Sequence, residues 1–147
     1  MTTDELFDST NIEIFMPEGV EFISSILSGL GYNYLDESTE SARQHGLETI
    51  EKLLDLDLIE VYHWGEYDKS LRGKVIPKFK TMKYIAELWH NGAKMPDFYG
   101  MPMFKFKDWY IEALKNKGFT SSTNWRTFVR ERIGNLETWI EENRPKS

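Results

Sequence analysis

Residues 53–79 read LLDLDLIEVYHWGEYDKSLRGKVIPKF. Leucines at helical spacing run to Asp57, a residue that tolerates the left-handed conformation in which helices end. LIEVYHW (58–64) then alternates apolar with polar positions and is rich in β-branched and aromatic types, the pattern of a half-buried strand. GEYDKSLRGK has the composition of a turn, and KVIPKF (74–79) reads as a second short strand, held to a sheet edge by Pro77, which lacks a donor. The stretch predicts a helix, a strand, a charged turn and a returning strand.

Upstream, Pro17 suits a first helical turn, Val20, Ile23, Ile26, Leu27 and Leu30 form one apolar stripe, and Gly31 stands where such a helix stops. Ser38 or Thr39 can cap the next helix by accepting an orphan backbone N–H, and Gly46 is a candidate break within it. Leu47, Ile50, Leu53 and Leu54 mark its inward face. Downstream, Met82, Ile85, Ala86 and Trp89 predict a helix closed by Asn91-Gly92. MFKF (103–106) fits a strand inside a loop-like stretch, and residues 109–116 fit a short helix. Ser122 to Asn124 offer a cap for a last helix, with Trp125, Phe128, Val129, Leu136, Trp139 and Ile140 on one narrow stripe. The sum is a mainly α chain with one β-hairpin (α+β), a single domain over 1–147, long enough to bury a core unaided.

From about residue 39 to 79 this order resembles the later half of a winged-helix domain, here packed by additional helices. That resemblance implies a nucleic-acid-reading helix with a hairpin wing beside it. The charges divide the two elements. On the helix, Ser41, Gln44, Glu48, Glu51, Lys52 and Asp55 point outward with a net charge of −2, which disfavours contact with phosphates. Glu48 and Lys52 can also serve as a simple i,i+4 surface pair. In the wing, Lys69, Arg72, Lys74, Lys78, Lys80 and Lys83 follow one another with no acid between them, amid Tyr62, Trp64, Tyr67, Phe79 and Tyr84. Bases for phosphates plus rings for stacking can grip a single strand, although lysines on an edge strand also guard against unwanted pairing.

The whole chain is split in the same way. Its net charge of −6 combines −12 over residues 1–60, where Arg43 and Lys52 are the only bases, with +6 over residues 61–147. Such a chain either pairs its halves internally or presents two faces of opposite sign. It has no cysteine, so disulfides, thiolate metal sites and a cysteine nucleophile are excluded. The acidic start lacks the basic-then-apolar pattern of a secretory signal, and no apolar run approaches a membrane span; the expected location is cytoplasmic. His45, His63 and His90 are scattered, and no metal-ligand spacing, phosphate loop or nucleophile motif occurs. A non-enzyme with no cofactor and no metal is expected. Two features admit two readings each. Arg132 lies within the last apolar stripe, either packing its stem while its head pairs with a first-half acid or snorkels to water, or touching a ligand. Residues 98–110 hold six aromatics, suited to a core or to an interface.

A small, cysteine-free, acidic, mostly helical chain ending NWRTFVRERIGNLETWIEENRP (124–145) resembles the bacterial immunity proteins of contact-dependent and polymorphic toxin systems. The resemblance implies a protein-binding module that neutralises a cognate toxin domain, often a nuclease, without catalysis. Glu37, Glu40, Glu48, Glu51, Asp55 and Asp57 are the expected contacts, pairing with lysines and arginines of a basic partner. The alternative is a winged-helix nucleic-acid binder with Lys69, Arg72, Lys74 and Lys78 on phosphates; a purely structural subunit is a third class.

Overall fold

The computed structural model describes residues 2–64 and 78–145. In chain order they form α1 (Thr3–Leu6), a 3-10 segment (Ser9–Phe15), α2 (Ile23–Gly29), α3 (Glu40–Asp55), β1 (Ile59–His63), α4 (Lys78–Leu88), α5 (Met95–Phe98), β2 (Met103–Phe106), α6 (Asp108–Asn116), α7 (Trp125–Phe128), a π segment (Val129–Ile133) and α8 (Leu136–Asn143). The fold is mainly helical with a two-stranded antiparallel sheet, an α+β arrangement. Helix α3 lies at its centre, packed against α1, α2, α4 and β1.

Local chemistry explains the limits of α3. The Thr39 hydroxyl accepts from the Ala42 N–H at 3.1 Å, satisfying a donor with no partner inside the helix. At the other end Asp57 adopts φ 59°, and the Leu58 N–H returns to the Leu53 carbonyl at 3.1 Å. The candidate break at Gly46 does not occur: α3 runs through it for 16 residues. Gly46 is there for proximity. A Cβ built on it would stand 2.5 Å from Cη2 of Trp89, so its bare backbone lets α4 approach.

Among the described residues, strand β1 takes its partner from far along the chain. It pairs with β2, in the register Ile59 to Phe106, Glu60 to Lys105 and Val61 to Phe104. Of the expected returning strand, residues 74–77 lie outside the described residues, and Lys78 and Phe79 open α4. The likeness to a wing therefore has no support from this pairing. MFKF is chosen because its alternate residues Phe104 and Phe106 are buried while Lys105 is exposed, as period-two geometry requires.

The last helix is also broken. Asn124 caps α7 by accepting from the Thr127 N–H at 3.0 Å, but the chain loosens into a π turn and stops at Gly134, φ 82°. Asn135 then caps α8 through the Thr138 N–H at 2.9 Å. Trp125, Phe128, Val129, Leu136, Trp139 and Ile140 are all buried as the stripe demands. Arg132, displaced by the π turn, is exposed rather than packed within that stripe. Likewise α2 begins at Ile23, six residues after Pro17.

The aromatic stretch is mostly core: Phe98, Met101, Phe104, Phe106 and Tyr110 are buried, and Tyr99 alone among its rings is largely exposed. The Tyr110 hydroxyl donates to the Phe15 carbonyl at 2.6 Å, tying α6 to the 3-10 segment. Burial pushes its phenol well above the ordinary value. Because the folded pKa is the higher one, the contribution is complete below about pH 10 and is lost as pH rises, when the unfolded chain releases a proton that the folded protein keeps. Tyr110→Phe is expected to cost about 1–3 kcal/mol at neutral pH, the penalty for a buried carbonyl without its donor. It should also flatten the fall in stability above about pH 10. Urea titrations of both proteins at pH 7 and in the alkaline range check this, and equal alkaline slopes would contradict it.

Candidate protein-binding surface

Helix α3 turns Ala42, Gly46, Leu47, Thr49, Ile50 and Leu53 inward, and presents Glu40, Ser41, Gln44, Glu48, Glu51 and Asp55 as exposed residues. Steps of four, four, three and four residues place Glu40, Gln44, Glu48, Glu51 and Asp55 on one stripe. It runs about 22 Å along the helix at 1.5 Å per residue. Four carboxylates, Glu40, Glu48, Glu51 and Asp55, lie on this stripe. One of the two bases of the first sixty residues is turned away from it. Arg43 is half-buried, its Nε donating to the Trp89 carbonyl at 2.8 Å and its Nη2 to the Ala86 carbonyl at 2.7 Å. It keeps only a long contact of 3.4 Å with Glu40.

Two of the six expected contact residues do not belong to this surface. Glu37 is buried, at 8% exposure, in the turn before α3. Asp57 is occupied in a structural junction: its carboxylate pairs with Lys107 of the β2–α6 corner, and its carbonyl accepts from the Trp109 indole at 2.8 Å. The reason is positional, since a residue that ends α3 in the left-handed region faces the chain that crosses beneath it. Glu40, Glu48, Glu51 and Asp55 remain accessible together.

The charge split between the halves is partly internal. Glu13 pairs with Arg126 at 2.5 Å and Glu60 with Lys105 at 3.4 Å, and Asp57 with Lys107 makes a third such link. These ties use acids on the 3-10 segment, in the junction after α3 and on β1. Arg144 reaches the same end of α3 by donating to the Asp55 backbone carbonyl at 2.9 Å.

For the alternative site, Lys69, Arg72 and Lys74 lie outside the described residues. Lys78 falls at the start of α4, a helix and not a strand, where Lys80 and Lys83 are exposed. Among the described residues no group of three or more His, Asp or Glu side chains is placed to hold a metal. No helix among them is long and apolar enough to cross a membrane.

Sequence reasoning missed Tyr34 and Leu35, at 81% and 76% exposure the most exposed large apolar side chains described. The available signal was two adjacent apolar residues inside the turn-forming sequence NYLDE, where polar residues normally lead. Comparison of the chain with protein-family models, with curated proteins and with solved structures returned no match.

Proposed function

We propose that this protein is a protein-binding module, an immunity-type inhibitor that neutralises a cognate basic toxin domain, with a nuclease as the favoured class. The observation that carries the reading is the α3 stripe, four exposed carboxylates on one rigid helix face. A nuclease must present positive charge to hold its polyanionic substrate, and an acidic helix of this length is a competitor for that cleft. Opposed potentials speed encounter and suppress wrong partners. Screened surface pairs such as Glu40 with Arg43 contribute little on their own, so these acids can exchange their neighbours for those of a partner at small cost. The reading assigns no catalysis to this chain.

The test is co-expression in the source organism, affinity capture with and without nuclease treatment, and identification of what co-purifies. A basic protein is expected, with protection of cells from its toxicity. The double reversal Glu48→Lys/Glu51→Lys is expected to weaken that complex by about tenfold or more, mainly through slower, salt-sensitive association. Its thermal midpoint should change little, because both residues are exposed. Unchanged affinity would rule out this surface, and recovery of nucleic acid in place of protein would rule out the function.

A further inference from the structure

Tyr34 and Leu35 stand on the turn that leads into α3, and the backbone around them is held by several hydrogen bonds. The Asn33 N–H donates to Asp36 Oδ1 at 2.7 Å, and the Leu35 N–H to Asn33 Oδ1 at 2.8 Å. The Asp36 and Glu37 N–H groups both donate to the Asn33 carbonyl, at 3.1 and 2.8 Å. The Thr39 hydroxyl donates to the Asp36 carbonyl at 2.7 Å, joining the turn to the helix cap. At its base, the Tyr32 ring meets His45 of α3 edge-on, with hydroxyl and Nδ1 3.1 Å apart. A single exposed apolar residue is ordinary on a protein surface. Two neighbours, both more than three-quarters exposed on a turn already ordered, form a knob that loses little conformational freedom when a partner covers it.

Charge decides what that partner is. Asp36 follows the knob directly and Glu40, exposed, opens the helix one turn later; Arg43, the next cation, is directed at the Ala86 and Trp89 carbonyls at the end of α4. A second copy docking through the same patch about a two-fold axis would set these acids against themselves. An anionic lipid surface would repel them. We propose that Tyr34 and Leu35 are the apolar anchor of the contact with the basic partner protein, entering a concave apolar pocket whose rim lysines and arginines meet Asp36 and Glu40. This rests on the inhibitor reading above and names the anchor that reading lacks, since acids steer association while buried aromatic and aliphatic anchors hold a complex together.

Photo-crosslinking separates the two claims. A benzophenone amino acid is placed at position 34, and in a second protein at position 51, in cells of the source organism. Both positions are expected to trap the same basic protein. With that protein purified as the probe, Tyr34→Ala/Leu35→Ala is expected to raise Kd about 100-fold or more, chiefly through faster dissociation, at an unchanged thermal midpoint. Trapping at 51 without trapping at 34, or a loss under about threefold in the double variant, overturns the anchor and leaves the acidic-surface reading intact. Trapping at 34 alone supports the anchor and removes α3 from the contact. A second copy of this chain, or lipid, trapped at 34 overturns the anchor, and no protein trapped at either position overturns both.

Discussion

Trp89→Ala is expected to destabilise the fold by about 3–5 kcal/mol, the usual cost of emptying a large aromatic site, and to lower the thermal midpoint by about 10 °C or more. Trp89 is 1% exposed and meets Phe98 edge-on at 5.9 Å. Its ring fills the space that Gly46 leaves open on α3. The same contact makes Gly46→Ala unfavourable, although alanine is the better helix former by about 0.8–1 kcal/mol. The added methyl would sit 2.5 Å from Cη2 and 3.0 Å from Cζ3 of Trp89, and 3.1 Å from Cδ2 of Leu27. An indole enclosed on all sides has no room to yield, and overpacking of this kind costs about 1–3 kcal/mol. The two substitutions should be strongly non-additive: with Trp89 truncated, Gly46→Ala is expected to become neutral or stabilising. Urea unfolding of both single variants and the double variant measures the coupling. Simple additivity would show that α3 and α4 do not meet through this pair.

Arg43→Ala is the second large effect, about 2–4 kcal/mol of lost stability. The guanidinium supplies charge-assisted hydrogen bonds, each worth about 1.5–3 kcal/mol, to carbonyls at the end of α4, where the last turn has no intrahelical donors left. Its positive charge also faces the negative end of the helix dipole. Its side chain is 19% exposed, so water would replace these bonds only in part. Arg43→Lys is expected to recover less than half of the loss, because one ammonium cannot reproduce the planar fork that reaches Ala86 and Trp89 at once. Hydrogen exchange should show α4 opening earlier in both variants. Full recovery by lysine would mean that charge alone matters and that the fork geometry does not. Since Arg43 points inward, neither change should alter capture of a partner beyond what stability explains.

The helices were legible wherever burial and local chemistry agree. The Thr39 cap, the left-handed Asp57, the apolar faces of α3 and α4, the short α6 and the buried stripe from Trp125 to Ile140 all follow from neighbours a few residues apart. Each rests on a hydrogen bond or a periodicity that the chain carries within one or two turns. Gly134 is the instructive exception. The stripe has the same spacing on both sides of it, so its continuity hides a π turn and a new start at Asn135. One residue at positive φ interrupts the backbone without disturbing which side chains are apolar.

The site was only half legible for a related reason. Helical geometry alone puts Glu48, Glu51 and Asp55 on the outer face of α3, because i, i+3 and i+4 neighbours share a face wherever the helix goes. Whether Glu37 and Asp57 are available depends on what crosses them. Lys107 is fifty residues from Asp57, and no local pattern announces their pairing. The exposure of Tyr34 and Leu35 has the same status, since an apolar residue in a turn is a core residue or a surface one according to what packs above it.

Local sequence thus determined the main helices, the caps at Thr39 and Asn124, their apolar faces and the acidic stripe, all of which are set by contacts within a few residues. Tertiary structure alone decided that β1 pairs with the distant MFKF strand, that Gly46 is a packing site for Trp89, that Arg43 serves the end of α4, and which first-half acids are used up by second-half bases. The physical reason is one of range. Strand pairing, close helix approach and ion pairing join residues that are far apart along the chain, and their energy exists only once the core has brought them together.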